Sequence, residues 1–141
     1  IFMQIYKQKL KFNSNGENDI INITELIELE VSKSKINDGI INLFVIGSTA
    51  AITTIEYESG CITDFRNMLE RIAPKDLEYK HELRWHDDNG HSHLRASLLG
   101  PNLTIPIENN QLILGTWQQI IFVELDTQSR NRLLDLTIIG K

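Results

Sequence analysis

The chain has 141 residues, of which 41% are hydrophobic and 23% charged, with a formal net charge of -5. This length suits one domain over residues 1–141, and no apolar run approaches the roughly 20 residues that span a bilayer. An acidic chain without a basic block excludes a nucleic-acid partner, because binding to phosphate backbones requires clustered Lys and Arg. A single cysteine, Cys61, and an N-terminus without a signal-peptide pattern predict a cytoplasmic protein with no membrane anchor.

The first third of the sequence predicts two strands and a helix. In residues 2–12 apolar and lysine side chains alternate, which is typical of a strand with one face in water. After the turn-rich NSNGEND, residues 19–23 indicate a short strand. Thr24 is a candidate cap for a helix over residues 25–35, whose apolar positions recur at helical spacing.

The middle of the sequence predicts two more strands and a second helix. The continuous run IINLFVI (40–46) favours a buried central strand, and AITTIEYE (50–57) resumes strand character. Four apolar residues then recur at helical spacing between 62 and 72. Ser59 is the candidate cap of this helix and Pro74 its stop.

The last third predicts antiparallel strands over residues 102–107, 112–115, 117–125 and 132–140, separated by turn-forming segments. Pro106 should place its strand at a sheet edge or a bulge, since proline lacks the N–H that a sheet ladder needs. Together these elements predict an α+β domain with two layers, a mostly antiparallel sheet and two or three short helices.

All four histidines fall within thirteen residues, at His81, His86, His91 and His93. Imidazole titrates near neutral pH and is the commonest transition-metal ligand, so a catalytic or metal site is the leading hypothesis, beside that of a polar loop rich in His and Asp. The apolar residues after His93 fit a short helix, on which His91 and His93 would lie about 200° apart. We therefore select His93 as the ligand and assign His91 to a solvated turn.

Three further segments carry candidate binding residues, each with a structural alternative. In GSTAAITTIEYESG (47–60), small residues and hydroxyls could approach an anion, although such residues are also ordinary in strands. Glu56 in this segment shares a strand face with apolar residues, which favours a site over a solvated sheet end. Arg95 could donate to an anion or form an ion pair. Trp117 in GTWQQ could stack on a ligand or fill the core.

Four motifs in order resemble the YjbQ-like family, also called secondary thiamine-phosphate synthase enzymes, in its archaeal form. They are GSTAAITTIEYESG, then YKHELRW with D-x-N-G-x-SHLRASLLGP, then LILGTWQQI, and the terminal R-x-x-x-L-TIIG. The resemblance covers nearly the whole chain. It implies a small α+β fold, a homotrimer and a weak thiamine-phosphate synthase activity.

The resemblance also implies a set of site residues. Carried over position by position, the family's polar cluster falls on Ser48, Thr49, Glu56, His81, His93, Ser97, Thr116, Trp117 and Gln118. Many relatives have a His where this chain has Gly47. A metal site here would therefore bind with fewer histidines, recruit His86 or a carboxylate, or be absent.

These residues lead to one main functional expectation and two alternatives. An enzyme resembling thiamine-phosphate synthase would bind small phosphorylated metabolites, with phosphate contacts from Ser48, Thr49 and Arg95. His81 and His93 would hold a divalent metal (Zn or Mg) or donate to the leaving group, and Glu56 would orient a histidine or act as the base. The alternatives are a trimeric metal- or metabolite-binding protein without turnover and a metal-assisted hydrolase.

Overall fold

A computed structural model describes residues 2–141, and within them the chain forms four helices and eight strands. The predicted α+β class with antiparallel strands is confirmed. In chain order the elements are β1 (Gln4–Asn13), β2 (Asp19–Asn22), α1 (Thr24–Ser34), β3 (Gly39–Ile46), β4 (Ala50–Glu56), α2 (Ser59–Ile72), α3 (Lys80–Trp85), α4 (Gly90–Leu99), β5 (Asn102–Glu108), β6 (Gln111–Leu112), β7 (Gln118–Glu124) and β8 (Asn131–Gly140).

The strands of residues 2–141 form two sheets, where the sequence predicts one. A five-stranded sheet has the order β1-β8-β3-β5-β6, and a three-stranded sheet has the order β2-β7-β4. The consecutive strands β3 and β4 belong to different sheets and are joined through residues 47–49. Alternation and apolar runs identify a strand but not its partner, so the split into two sheets cannot be read from these patterns.

Two apolar cores hold these sheets together and create a third layer. The first core lies between the inner face of the five-stranded sheet, helix α1 and one face of the three-stranded sheet; it includes Ile27, Ile41, Leu43, Ile52, Phe122 and Leu136. The second covers the other face of the three-stranded sheet with α2 and α4; it includes Ala51, Leu69, Ala96, Ile121 and Val123. Full burial of an aliphatic side chain contributes about 1.5–3 kcal/mol, so both interfaces stabilise the fold.

The opposite side of the five-stranded sheet, which we call the outer face, exposes apolar side chains. Its large members, between 39% and 68% exposed, are Ile5, Ile40, Phe44, Ile46 and Ile139. The strand register places Ile5, Ile139 and Ile40 side by side across three strands. Exposed apolar side chains that lie side by side in this way are typical of a protein interface.

Neither of the two predicted side-chain caps forms at its helix. The Thr24 hydroxyl donates to the Asn22 side chain at 2.7 Å instead of capping α1, so that prediction is wrong. Helix α2 is capped by Glu58 rather than by Ser59, because the Glu58 carboxylate reaches two N–H groups of the first turn at 2.7 and 2.8 Å. All helices in residues 2–141 are too short to traverse a lipid bilayer.

The histidine segment folds into two helices, α3 and α4, where the sequence predicts one short helix after His93. His86 and Asp88 adopt left-handed backbone angles (φ 54° and 58°) and turn the chain between the helices. Helix α4 begins at Gly90, where glycine is required because the chain approaches Tyr79 closely. A Cβ atom at position 90 would lie only 2.6 Å from the Cβ atom of Tyr79.

Pro106 lies where the sequence predicts it, at an edge of the five-stranded sheet. It pairs with Ile40 of β3 on one side. On the other side the two-residue β6 pairs only with Ile107 and Glu108, and the Pro106 carbonyl accepts a bond from the Ile113 N–H. The N–H that proline lacks is therefore not needed by a central ladder.

Candidate functional site

An open groove of about 600 Å³ runs between the β3–β4 connection and helix α4; we call it the α4 groove. It is lined by Gly47, Ser48, Ala50, His93, Leu94, Ala96, Ser97 and Pro101. Three predicted site residues, Ser48, His93 and Ser97, therefore meet there although up to 49 positions separate them in the sequence. Both hydroxyls are exposed and the imidazole is half-buried.

His81 lies beside this groove because helix α3 packs against α4. The rings of His81 and His93 are 4.6 Å apart between centroids and inclined by 60°. The Nε2 atom of His81 is buried without a hydrogen bond and lies 3.3 Å from an Asp87 carboxylate oxygen. The two histidines selected from the sequence thus form a pair, with one ring nitrogen lacking a partner.

This pair does not by itself fit a zinc site. Catalytic zinc takes three protein ligands and structural zinc takes four. In the described part of the chain, no group of three or more His, Cys, Asp and Glu side chains is arranged to hold a metal ion. The assignment of His81 and His93 as ligands therefore remains a prediction that requires a further ligand beyond the residues that the structure groups there.

Three other predicted site residues form a second group, which we call the Trp117 cluster. Glu56, Thr116 and Trp117 line a depression together with Asn22, Tyr57, Glu58 and Gln119. Trp117 is 72% exposed, so it is not a core residue and its ring is available for stacking. Gln118 holds the preceding turn in place, since its side chain accepts from the Gly115 N–H and donates to Thr54, each at 3.0 Å.

Two carboxylates lie at the edge of the Trp117 cluster, and they differ in their hydrogen bonds. The N–H groups of Gly60 and Cys61 stabilise the Glu58 carboxylate and hold its pKa below the usual range. Glu58 is therefore occupied as a helix cap. Glu56 lies at the exposed end of β4, and its carboxylate makes no hydrogen bond within residues 2–141, so it is the acid of this cluster that is free to act on a ligand.

The α4 groove and the Trp117 cluster lie at opposite ends of β4. Ala50 lines the groove and Glu56 lines the cluster. Six residue steps along an extended strand cover about 20 Å. Within residues 2–141, the predicted site residues therefore do not come together at a single reaction centre.

Thr49 is buried in a polar network and is not available to a ligand, contrary to the prediction that it contacts phosphate. Its hydroxyl donates to Asp126 at 3.0 Å and accepts from Arg132 at 2.8 Å. Arg132 also binds the fully buried Glu124 through Nε and Nη2. Burial alone would raise the pKa of Asp126, but bonds from Thr49 and the Thr127 backbone, together with Arg130, lower it.

Sequence reasoning missed this network, although one signal for Arg132 was present. Arg132 shares its strand parity with Leu134, Leu136 and Ile138, which all face the core. A charged residue on the apolar face of a strand requires a buried partner. Glu124 gives no such signal, because it ends an apolar run where a solvated residue is equally ordinary.

Arg95 is an ion-pair residue rather than the predicted phosphate donor. Its side chain is 1% exposed, and it donates to the Ala73 carbonyl at 3.0 Å and to Glu70 at 2.7 Å. Its third nitrogen lies 3.4 Å from the Asn18 side chain and 3.7 Å from Glu17. The guanidinium therefore ties α4 to α2 and to the β1–β2 loop.

His91 is buried, which corrects its assignment to a solvated turn. It lies in α4 with 1% of its side chain exposed, and its Nε2 atom is 2.5 Å from a Glu17 carboxylate oxygen. Burial would raise the pKa of Glu17, but bonds from Lys75 and His91 outweigh that effect and lower it. His86 is exposed at the end of α3 and joins neither cluster.

Arg132 lies so close to Gly47 that it would clash with a side chain there. The resemblance leads us to expect histidine at this position in many relatives. A Cβ atom at this position would lie 2.8 Å from Nη1 of Arg132. A histidine at position 47 would line the α4 groove beside His93, but only if Arg132 moved away. The present position of Arg132 therefore depends on glycine at position 47.

The fold and these grooves define a small α+β protein in which two antiparallel sheets and helix α4 enclose a groove lined by one histidine. The family model described as "UPF0047 protein YjbQ-like" matches residues 8–141. The chain belongs to this YjbQ-like (UPF0047) family, which confirms the assignment predicted from its four motifs.

Relatives and solved structures of this family are similar to the chain over nearly its full length. The UPF0047 protein of Methanothermobacter thermautotrophicus is 40% identical over 141 residues, which cover 100% of this chain and 96% of that protein. A YbjQ-like protein of unknown function from Sulfolobus solfataricus has a TM-score of 0.94 at 34% identity, covering 99% of this chain and 100% of that one. A YjbQ/UPF0047 family protein from Clostridium acetobutylicum has a TM-score of 0.85 at 34% identity, with 93% and 98% coverage.

Proposed function

We propose that the protein is a homotrimeric transferase of the thiamine-phosphate synthase type, acting on small phosphorylated metabolites in the cytoplasm. The observation that carries this proposal is the α4 groove, where Ser48, His93 and Ser97 present polar groups beside the half-buried His81. The single cysteine, Cys61, supports a cytoplasmic location, since disulfides stabilise proteins of oxidising compartments.

The proposed reaction joins a pyrimidine diphosphate to a thiazole phosphate. The thiazole nitrogen donates its electron pair to the methylene carbon of the pyrimidine, and a new C–N bond forms. The C–O bond to the diphosphate breaks, and pyrophosphate leaves with that electron pair. Charge therefore develops on the leaving group, and fixed hydrogen-bond donors aimed at it lower the barrier.

The chemistry of the two clusters suits the two parts of this reaction. The Ser48 hydroxyl and His93 in the α4 groove can donate to the leaving diphosphate, and no residue lining that groove is acidic. In the Trp117 cluster an exposed indole can stack on an aromatic ring, and Glu56 can orient it through a hydrogen bond. His81 supports His93 through ring contact and serves as a positioning residue.

We place the active site between subunits, because one subunit keeps the two clusters about 20 Å apart along β4. The groove of one subunit would face the Trp117 cluster of its neighbour. The exposed apolar outer face supports such an assembly, since it offers a large surface for a second copy to cover. A metal, if one is held by His81 and His93, would take its further ligand from this neighbour or from the substrate.

The test follows thiamine phosphate formed from the two precursors, in wild type and in Glu56→Gln. We expect turnover in wild type and a loss of roughly 10²-fold or more in the variant, with binding of the precursors much less affected. Glu108→Gln is the matched control, because Glu108 is also an exposed acid at a strand end and lies outside both clusters.

Each other outcome has a definite meaning. If wild type binds a phosphorylated precursor but shows no turnover above the no-protein control, the protein is a binding protein and the transferase proposal fails. If wild type releases inorganic phosphate instead of thiamine phosphate, the hydrolase alternative replaces it. Equal activity in wild type and Glu56→Gln would remove Glu56 from the site.

A further inference from the structure

The sequence contains two asparagines that are followed by glycine, in Asn15–Gly16 and Asn89–Gly90. An asparagine in this setting can lose its side-chain amide without an enzyme, because the backbone nitrogen of the next residue can attack the side-chain carbonyl carbon. Glycine favours this attack, since it has no Cβ atom and leaves the backbone free to adopt the geometry that the attack needs. The surroundings of each pair therefore decide whether it reacts.

Asn15 and Gly16 lie in the β1–β2 loop, where both reacting groups are free. The Asn15 side chain is exposed, and among residues 2–141 neither its amide nor the Gly16 N–H makes a hydrogen bond. Gly16 has a φ of 102°, and a Cβ atom there would lie 3.3 Å from the backbone carbonyl carbon of Gln128. The loop thus requires glycine at this position and leaves the preceding asparagine side chain exposed.

Asn89 and Gly90, at the start of α4, are held by the fold. Asn89 is 5% exposed, and its backbone carbonyl accepts a bond from the His93 N–H at 3.2 Å. The Gly90 N–H donates to a carboxylate oxygen of Glu82. Attack by the Gly90 nitrogen would require this bond to break and the first turn of α4 to open.

We propose that Asn15 is a site of spontaneous deamidation and isoaspartate formation, whereas Asn89 is protected. The Gly16 nitrogen gives up its proton and bonds to the Asn15 side-chain carbonyl carbon. The bond from that carbon to the side-chain nitrogen breaks, ammonia leaves, and a cyclic imide remains. Water then opens the imide at one of its two carbonyl carbons. Attack at the side-chain carbonyl leaves an aspartate, and attack at the backbone carbonyl leaves an isoaspartate, in which the main chain runs through the former side chain.

An isoaspartate at position 15 lengthens the main chain by one methylene, two residues before Glu17. Glu17 connects the loop to α4, since its carboxylate lies 2.5 Å from His91 Nε2 and accepts from Lys75 at 2.9 Å. His93 lines the α4 groove two residues after His91. The modification should therefore loosen the contact between the loop and α4 and lower the stability of the fold. This proposal does not depend on the transferase activity.

The test incubates purified protein in warm, mildly alkaline buffer with and without denaturing urea, and follows both Asn–Gly sequences by peptide mapping with mass spectrometry. In the unfolded chain both should react at similar rates, since each asparagine precedes a glycine. In the folded protein Asn15 should react about tenfold or more faster than Asn89, because only the latter requires local opening of a helix. An isoaspartate methyltransferase detects the isoaspartate product. As modification proceeds, the thermal midpoint should fall by about 2–8 °C.

Two variants show whether the change in stability comes from this site. Asn15→Gln removes it, because the longer side chain closes the imide ring less readily. Asn13→Gln is the matched control, since Asn13 is an exposed asparagine two residues away that precedes serine. Asn13→Gln should age as wild type does, whereas Asn15→Gln should keep its thermal midpoint.

Two results would overturn the proposal. One is an intact Asn15 in the folded protein after the unfolded chain has reacted, and the other is an equal rate at Asn15 and Asn89 in the folded protein. A thermal midpoint that falls equally in wild type and Asn15→Gln, or that stays constant in modified wild type, would refute the link between this site and α4.

Discussion

Replacement of Arg132 by methionine should destabilise the protein strongly. Glu124 has no exposed surface, and its carboxylate accepts bonds from Arg132, from the Ser14 hydroxyl at 2.6 Å and from the Asp126 N–H at 3.1 Å. Arg132→Met leaves that charge without its cation in a buried position. Breaking a buried ion pair in this way costs about 3–5 kcal/mol, a large part of the roughly 5–15 kcal/mol that stabilises a typical domain.

A double variant distinguishes the lost charge pairing from lost packing. In Arg132→Met with Glu124→Gln, the amide remains beside Ser14 and position 124 no longer carries an unpaired charge, so most of the lost stability should return. Urea unfolding at pH 7 and one fixed protein concentration measures both variants, because the stability of an oligomer depends on concentration. A loss below about 1 kcal/mol in Arg132→Met, or a double variant that is no more stable than the single one, would refute this reasoning.

Three further predictions concern pH, assembly and the histidines. The pKa of Asp126 is lowered in the folded protein, so its ionised carboxylate stabilises the fold above the unfolded pKa, and this stabilisation is lost as pH falls. Asp126→Asn should therefore flatten the drop in thermal midpoint below about pH 4, and an unchanged drop would contradict this. Phe44→Lys on the outer face should convert trimers to monomers in light scattering, and an intact trimer would exclude that face as the interface. His91→Ala should lower stability by about 1–3 kcal/mol because Glu17 loses a buried partner. His93→Ala should instead lose any transition metal that wild type retains after dialysis; equal metal loss in both histidine variants would contradict their separate roles.

The element types were largely predictable from the sequence, because periodicity reports how each segment is buried. The alternation in β1 correctly placed Tyr6, Leu10 and Phe12 toward the core. Helix α2 was evident from its apolar spacing. The distribution of strands over two sheets was not predictable, since a strand such as β3 has the same pattern in either sheet.

The candidate site was predictable in its composition but not in its geometry. Helix geometry separated His91 from His93 and selected His93 for the site, but the sequence did not show that helix α4 buries His91 against Glu17 while His93 lines the groove. Arg95 and Thr49 have the chemistry of phosphate ligands, but their partners Glu70 and Asp126 are distant in sequence. Only the tertiary fold decides whether such groups are already bonded within the protein.

The central claim is that each active site combines the α4 groove of one subunit with the Trp117 cluster of the next. Mixing refolded Glu56→Gln and His93→Ala subunits tests this claim by thiamine phosphate formation. Each variant alone should be inactive. In randomly mixed trimers, about a quarter of the sites should pair an intact groove with an intact cluster, so about a quarter of wild-type activity should return. A mixture that stays inactive, although it forms trimers and wild type refolded in parallel is active, would contradict a shared site.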